Sequence, residues 1–438
     1  MGNMMGFYQY PGERSSLIES ESTENVFPEK PVIDTAVWKK IQAYYLASAP
    51  EVLEVDDPVI KTGLDDFKLI IPKYKVTPPS STLVKFMDDQ TIFVGDALSK
   101  KLLHFDNELN FTKAGNILEG AVHMEEDDES YWILSMGSFS PSDHASGMLI
   151  NLPKRESKRA RIIADQLRRP VHAAYGDLND DGYTDIVISE FAKWTGRLSI
   201  LYGKENNEFG YEILHNQTGA IKSFIKDFNR DGRPDIMTLF AQGKEGISIF
   251  YNQGDGTYRR EEVISFPSFW GSTSFELFDL ENDGDWDILY TAGDNGDYIP
   301  VLKPYHGVYI YQNNGDDAFK QVFFHHMNGA NGAKIKDFDL DGDLDIAAIS
   351  FFPDYNNKAK ESFIYLKNAG DLNFEAQTFD NNSRGRWIVM DAKDKDKDGD
   401  IDLILGSLIF ETIPDSDYIQ KWIKTGLPFV ILENQTKK

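Results

Sequence analysis

The chain has 438 residues, 41% of them hydrophobic and 26% charged, and no run of 18 apolar residues, which predicts a folded chain without a membrane span. Its 45 Lys and Arg against 71 Asp and Glu leave a net charge of −26, which repels a phosphate backbone and excludes nucleic acid as a partner. The absence of cysteine excludes disulfides, thiol catalysis, thiolate zinc sites and covalent c-type haem.

Residues 1–55 stand apart from the remainder of the chain. Asp34 or Thr35 can cap a helix running to about Ser48, with Val37, Trp38, Ile41, Tyr44 and Tyr45 on one apolar face and Pro50 as its stop. No basic region followed by an apolar core precedes it, so the sequence as written shows no secretion signal.

From residue 66 to 438 short strand-like runs recur. LIIPKY (Leu69 to Tyr74) comes first, then STLVKF, TIFVGDA, KLLHFD and FTKAGNIL as one unit and AVHMEE, YWILSMGSF, GMLINL and ARIIADQL as another. Five further units each contain D-x-[DNE]-x-D-G-x-x-D followed by an apolar run, beginning at Asp177, Asp227, Asp279, Asp337 and Asp394. Spacings of 50, 52, 58 and 57 residues suit a four-stranded blade. Two units plus five predict an all-β, seven-bladed β-propeller with a short N-terminal helical segment. The last unit supplies only three strands, so the early run is expected to close the ring as its outer strand, removing two exposed edges.

The acidic loops join the first and second strands of their blades. Alternate positions supply oxygen: Asp177, Asn179, Asp181 and Asp185; Asp227, Asn229, Asp231 and Asp235; Asp279, Glu281, Asp283 and Asp287; Asp337, Asp339, Asp341 and Asp345; Asp394, Asp396, Asp398 and Asp402. A hard cation takes roughly six to eight oxygens, and the central glycine permits the sharp turn, so calcium is expected at about five structural sites. An EF-hand is excluded, because its twelfth-position Glu is replaced by Ile188, Thr238, Tyr290, Ala348 and Leu405, and strands follow where helices belong.

These loops, in phase with a strand repeat, resemble the VCBS and FG-GAP repeats of calcium-binding propellers, also seen in the integrin α-subunit head. The resemblance covers Asp177 to Gly406 by motif and the two preceding units by rhythm. It implies calcium in hairpin loops and an extracytoplasmic setting: periplasmic, cell-surface or secreted. GSFSPSD (Gly137 to Asp143), KPYHG (Lys303 to Gly307) and GRW (Gly385 to Trp387) are similar to a subgroup with an upstream cytochrome c-like segment. There W-x-x-I-x-x-Y-Y-x-x-x-A-P, preceded by MGNMMGFY, resembles the C-terminal part of the haem domain, and Met1, Met4 and Met5 would be relics of an axial ligand. No C-x-x-C-H is present, so covalent haem is not carried over, and the chain is expected to begin downstream of a leader and a haem motif.

The long loops, Asp294 to Tyr305, Phe352 to Glu361 and Phe410 to Gly426, all fall on the face opposite the acidic loops. His123, His172, Lys222, Trp270, Asn331, Lys334, Arg384 and Arg386, at the entries to the inner strands, are expected to ring the central funnel and to suit an anionic or sugar-like ligand. His306, His325 and His326 form no metal triad by spacing, and no nucleophile-base pair is legible. The sequence therefore reads as a binding module for a protein or glycan through its loop-rich face. The alternative is a redox or carbohydrate-active component whose haem-binding N-terminus lies outside this chain. An upstream C-x-x-C-H would discriminate the two.

Overall fold

The computed structural model describes residues 2–21, 26–49, 58–117, 120–155, 159–296, 301–315, 317–409 and 416–437. Met1, Pro50 and the rest of 50–55, and parts of two long loops (297–300 and 410–415) lie outside the described residues, as do the side chains of Met4 and Ser416.

Seven antiparallel sheets follow one another around a ring. Their inner strands are Ser81–Phe86, Ala121–Glu126, Pro170–Gly176, Ala220–Lys226, Ser272–Phe278, Ala330–Lys336 and Trp387–Lys393, each beside the next and the last beside the first. The second strands of blades 3 to 7, such as Asp185–Glu190 and Asp345–Ser350, are buried at every position. Both of their faces meet neighbouring blades, which is why these strands are near-continuous apolar runs rather than alternating ones. Outer strands such as Tyr258–Ser265 carry the polar residues.

The core is divided among the blade junctions. Phe338, Ala347 and Tyr365 of blade 6 pack on Trp387, Leu403 and Leu432 of blade 7. Val84, Ile92 and Phe105 of blade 1 meet Ile404 and Ile431 of blade 7, so the ring is closed by packing as well as by pairing. Each inner strand also carries a register shift near its start, for example between Ala121 and His123, Pro170 and His172, and Ala220 and Lys222. Such a bulge re-aims the side chains that come after it.

The chain entering the propeller straddles two blades. Lys61–Thr62 adds a parallel fifth strand to blade 6, beside Gln377 and Thr378, and Phe67–Ile70 then pairs antiparallel with Phe429–Asn434 as the outer strand of blade 7. The expected closing strand thus exists, shifted to begin at Phe67 because Phe67 fills the blade 6–7 core.

Helix α1 spans Glu13–Glu21 and α2 spans Thr35–Ser48, where the Asp34 carboxylate caps the first turn by accepting from the Ala36 N–H at 2.7 Å. The apolar face of α2 is not docked on the propeller: none of its residues is buried, Tyr44 and Leu46 are exposed, and Trp38 stacks on Phe7. The N-terminal segment is anchored instead by Phe27, buried edge-on against Trp194 at 5.6 Å, with its carbonyl accepting from the Arg14 Nε at 2.7 Å. A further helix, α3 (Ser416–Thr425), lies in the long loop of blade 7, where Trp422 packs on Tyr355 and donates to the Ser383 carbonyl. Among the described residues no helix is long and apolar enough to cross a membrane.

Candidate functional site

The five acidic loops share one backbone device. In each, the first Asp accepts from the glycine N–H five residues on, as Asp177 does from Gly182 at 2.8 Å and Asp394 from Gly399 at 3.0 Å. Those glycines have φ of +82° to +100°, where a side chain would be strained. The ninth-position carboxylate is buried and joins the loop to the third strand of its own blade. Asp402 accepts from the N–H groups of Lys395 (3.0 Å) and Asn434 (2.8 Å), and Asp185, Asp235, Asp287 and Asp345 do the same in theirs. Burial pushes all five carboxyls up, Asp345 to about 6 and Asp402 to about 7.

The loops are not equivalent as cation sites. Carboxylate oxygens of Asp337, Asp339 and Asp345, and likewise of Asp394, Asp396 and Asp398, come within 4.8 Å of one another. Asp337 Oδ1, Asp394 Oδ1 and Asp398 Oδ2 are buried with no hydrogen-bond partner, which suits a cation. Asp341 is exposed and lies outside the first of these groups. In the first three loops protein donors reach the acids: Asn179 bonds Asp181, Asn229 bonds Asp231, Arg233 pairs with Asp231, Arg230 with Asp285, and Gln312 donates to Glu281. In the fourth, Lys367 pairs with Asp339 at 2.8 Å and the Tyr365 hydroxyl donates to Asp345 at 2.7 Å. Asp279 and Glu281 also help line a cleft of about 520 Å³ between blades 5 and 6, with Asp343 and Asp371 opposite and Leu280, Leu344 and Leu372 among its walls.

On the channel side the structure brings together four of the eight expected ring residues. His123 and His172 pack at 4.5 Å, and the ammonium groups of Lys222 and Lys334 both reach Glu276 Oε1, at 2.7 and 2.6 Å. Burial, helped by the three nearby lysines, drives His123 down to about 3 and His172 well below its ordinary value, so both are neutral. Burial alone would raise Glu276, but its two lysines outweigh that and hold it at about 2. The sequence reading missed Glu276 and its counterparts Lys85, Glu125 and Asp391, which complete a self-compensated belt. Their signal was a charge inside an otherwise apolar inner strand.

The other four do not join this ring. Arg386 is fully buried, its guanidinium 3.7 Å from the Phe351 ring centre and its Nε donating to the Phe351 carbonyl. Arg384 bonds the carbonyls of Asp380 and Asn381, and Asn331 donates to the Ile388 carbonyl of the next blade. The funnel mouth is also covered: Phe139, in the long loop of blade 2, packs against Phe351, Phe352, Leu408 and Ile388 of blades 6 and 7. An open cationic funnel is therefore replaced by a plugged one with neutralised charges.

Trp270 belongs to a different feature. At the rim of blade 5, Tyr309, Trp270 and Tyr305 stack in succession, at 5.3 and 6.0 Å, and Phe269 meets Tyr305 edge-on at 5.4 Å. The series runs from 3% exposure at Tyr309 to 57% at Phe269, with Val301 and Leu302 exposed beside Tyr305 in sequence. His306 comes next, fully buried and drawn down by burial to about 3.

Residues 227–290, which contain the second and third acidic loops, match the family model of the FG-GAP-like repeat. A T-cell immunomodulatory protein homolog of Plasmodium yoelii yoelii is 26% identical over 176 residues, 35% of this chain. The match spans about a quarter, 24%, of that protein's length. Among solved structures, the crystal structure of BBS1N in complex with ARL6DN, soaked with mercury, aligns with a TM-score of 0.49 and 8% identity over 86% of this chain and 99% of that one.

Proposed function

We propose that this propeller is an extracytoplasmic protein-binding module that docks its partner on the rim of blade 5, with calcium in acidic loops on the opposite face. The observation that carries the reading is the aromatic stack from Tyr309 to Phe269. It ends in exposed Phe269, Val301 and Leu302, an apolar group that is rigid at its base and open at its tip. The plugged funnel favours the rim over the channel. The FG-GAP-like repeat and the immunomodulatory name of the Plasmodium relative agree with a partner met outside the cytoplasm.

Calcium would be held by Asp337, Asp339 and Asp345 and by Asp394, Asp396 and Asp398, whose oxygens already converge. It would supply charge compensation and cross-linking of the hairpin, with no reaction implied.

A photo-cross-linking amino acid placed at Phe269, compared with one at exposed Tyr211 on blade 3, tests the docking face. A protein adduct at 269 that is absent at 211 and lost in Trp270→Ala is expected. Equal adducts at both positions, or saturable glycan binding in place of any adduct, would overturn it.

A further inference from the structure

The cleft between blades 5 and 6 has two kinds of lining that a metal site does not need together. Asp279 and Glu281 stand on one side and Asp343 and Asp371 on the other, and among the described residues no lysine or arginine lines it. Leu280, Leu344 and Leu372 form apolar walls whose backs pack on the core shared by the two blades. Its volume of about 520 Å³ lies within the roughly 300–1,000 Å³ of ligand pockets.

The blade 6 side of the cleft is fixed in advance. Asn368, buried in its lining, donates its N–H to Asp345 Oδ1 at 2.8 Å and its Nδ2 to the Leu344 carbonyl at 3.2 Å, and its Oδ1 accepts from the Gly370 N–H at 3.0 Å. A wall held in this way loses little freedom when the cleft is filled. The acids are not gathered around one point: among the described residues no three of the third loop come within 4.8 Å of one another, and exposed Asp343 and Asp371 lie outside the converging group of the fourth. A bare ion has no use for leucine walls, and an uncharged apolar ligand would leave the carboxylates uncompensated. Lys and Arg side chains match both, with the aliphatic stem along the leucines and the charged head among the acids.

We propose that the cleft between blades 5 and 6 is a second docking site, which takes a basic, apolar-flanked segment of a partner protein by seating its Lys or Arg side chains between the leucine walls and the carboxylates. The net charge of −26 draws such a segment toward the molecule, and the leucine walls select it from other cations. The inference goes beyond the docking rim of blade 5 and rests neither on it nor on calcium.

Fluorescence anisotropy of the whole chain with a labelled short peptide of alternating Leu and Arg tests it, beside peptides of alternating Gly and Arg and of alternating Leu and Glu. Asp371 and Leu372 have φ of +54° and +57°, a region that Asn tolerates, so Asp371→Asn and Leu372→Asn change the lining without forcing the turn. The Leu-Arg peptide is expected to bind the parent saturably, less tightly as salt rises, and more tightly than the Gly-Arg peptide, while the Leu-Glu peptide does not bind. Asp343→Asn combined with Asp371→Asn, and Leu372→Asn by itself, should each weaken it about tenfold, whereas Glu212→Gln, exposed on the outer strand of blade 3, leaves it unchanged. Equal affinity for the two Arg peptides, or parent-like binding by both cleft variants, reduces the effect to general surface charge and overturns the proposal. Displacement by calcium where sodium of equal ionic strength has no such effect assigns the acids to an ion and also overturns it. The peptide comparison in the parent needs no variant and decides the matter even if a variant fails to fold.

Discussion

Glu361 shows how far burial governs single residues on the loop-rich face. It is 1% exposed, accepts from the Asn328 Nδ2 at 2.9 Å and N–H at 3.3 Å, and burial pushes its carboxyl up to about 7. A folded-state value above the unfolded one means that the native state holds the extra proton. This stabilisation is complete below about pH 4.5 and is lost as pH rises to about 7. Glu361→Gln keeps the acceptor and removes the titration. Its melting temperature should therefore lose the decline that the parent shows across this window, a difference of at most about 3 kcal/mol by pH 8. Parallel pH profiles for the two proteins would contradict the assignment. Such environments are not legible from sequence: Arg386 and Lys222 were expected on a ligand-binding ring around the funnel, because the burial and partners that engage them come from blades far apart in the chain.

At the scale of elements, the closing strand bears more than its four residues suggest. Phe67 is 7% exposed and packs edge-on against Phe338 and Tyr365 of blade 6 while its backbone pairs with blade 7. Phe67→Ala should cost about 3–5 kcal/mol, read by chemical denaturation, and should speed exchange in Phe429–Asn434. A loss below about 1 kcal/mol would mean that the ring is held by its other junctions. The apolar run that marks this strand was visible in sequence, and so was α2, through Asp34 and its 3.6-residue pattern. What the pattern did not contain was the partner: an apolar stripe reports that a face can be buried, and Tyr44 and Leu46 remain exposed. Helix α3 carries Tyr418 and Trp422 at i and i+4, a signal available in the sequence but set inside a segment read as loop.

For the whole molecule, the period of the acidic motif made five blades legible, because each loop fixes the turn between an inner and a second strand, and the strand rhythm before Asp177 supplied the other two. The contents of the channel were not, since the bulge at the head of each inner strand decides which side chains turn inward. Chelation should lower the melting temperature, and calcium should restore it where equimolar magnesium does not. Each saturated site contributes about 2.7 kcal/mol at a hundredfold excess over its dissociation constant. Asp341→Ala should reduce this calcium dependence only modestly, because Asp341 is exposed and lies apart from the Asp337, Asp339 and Asp345 group. Identical melting with and without chelator in the parent would leave the loops as turns.

The pairing of Phe67 with Asn434 also sets how the ring responds to tension. Both strands run away from this shared end, as Lys68 faces Glu433 and Ile70 faces Ile431. A pull that separates the segment before Phe67 from the tail after Asn434 loads these rungs one at a time, like a zipper, rather than all at once in shear. The Asp400–Lys437 bond lies just beyond the first rung, so it is loaded ahead of the zipper and acts as its stop.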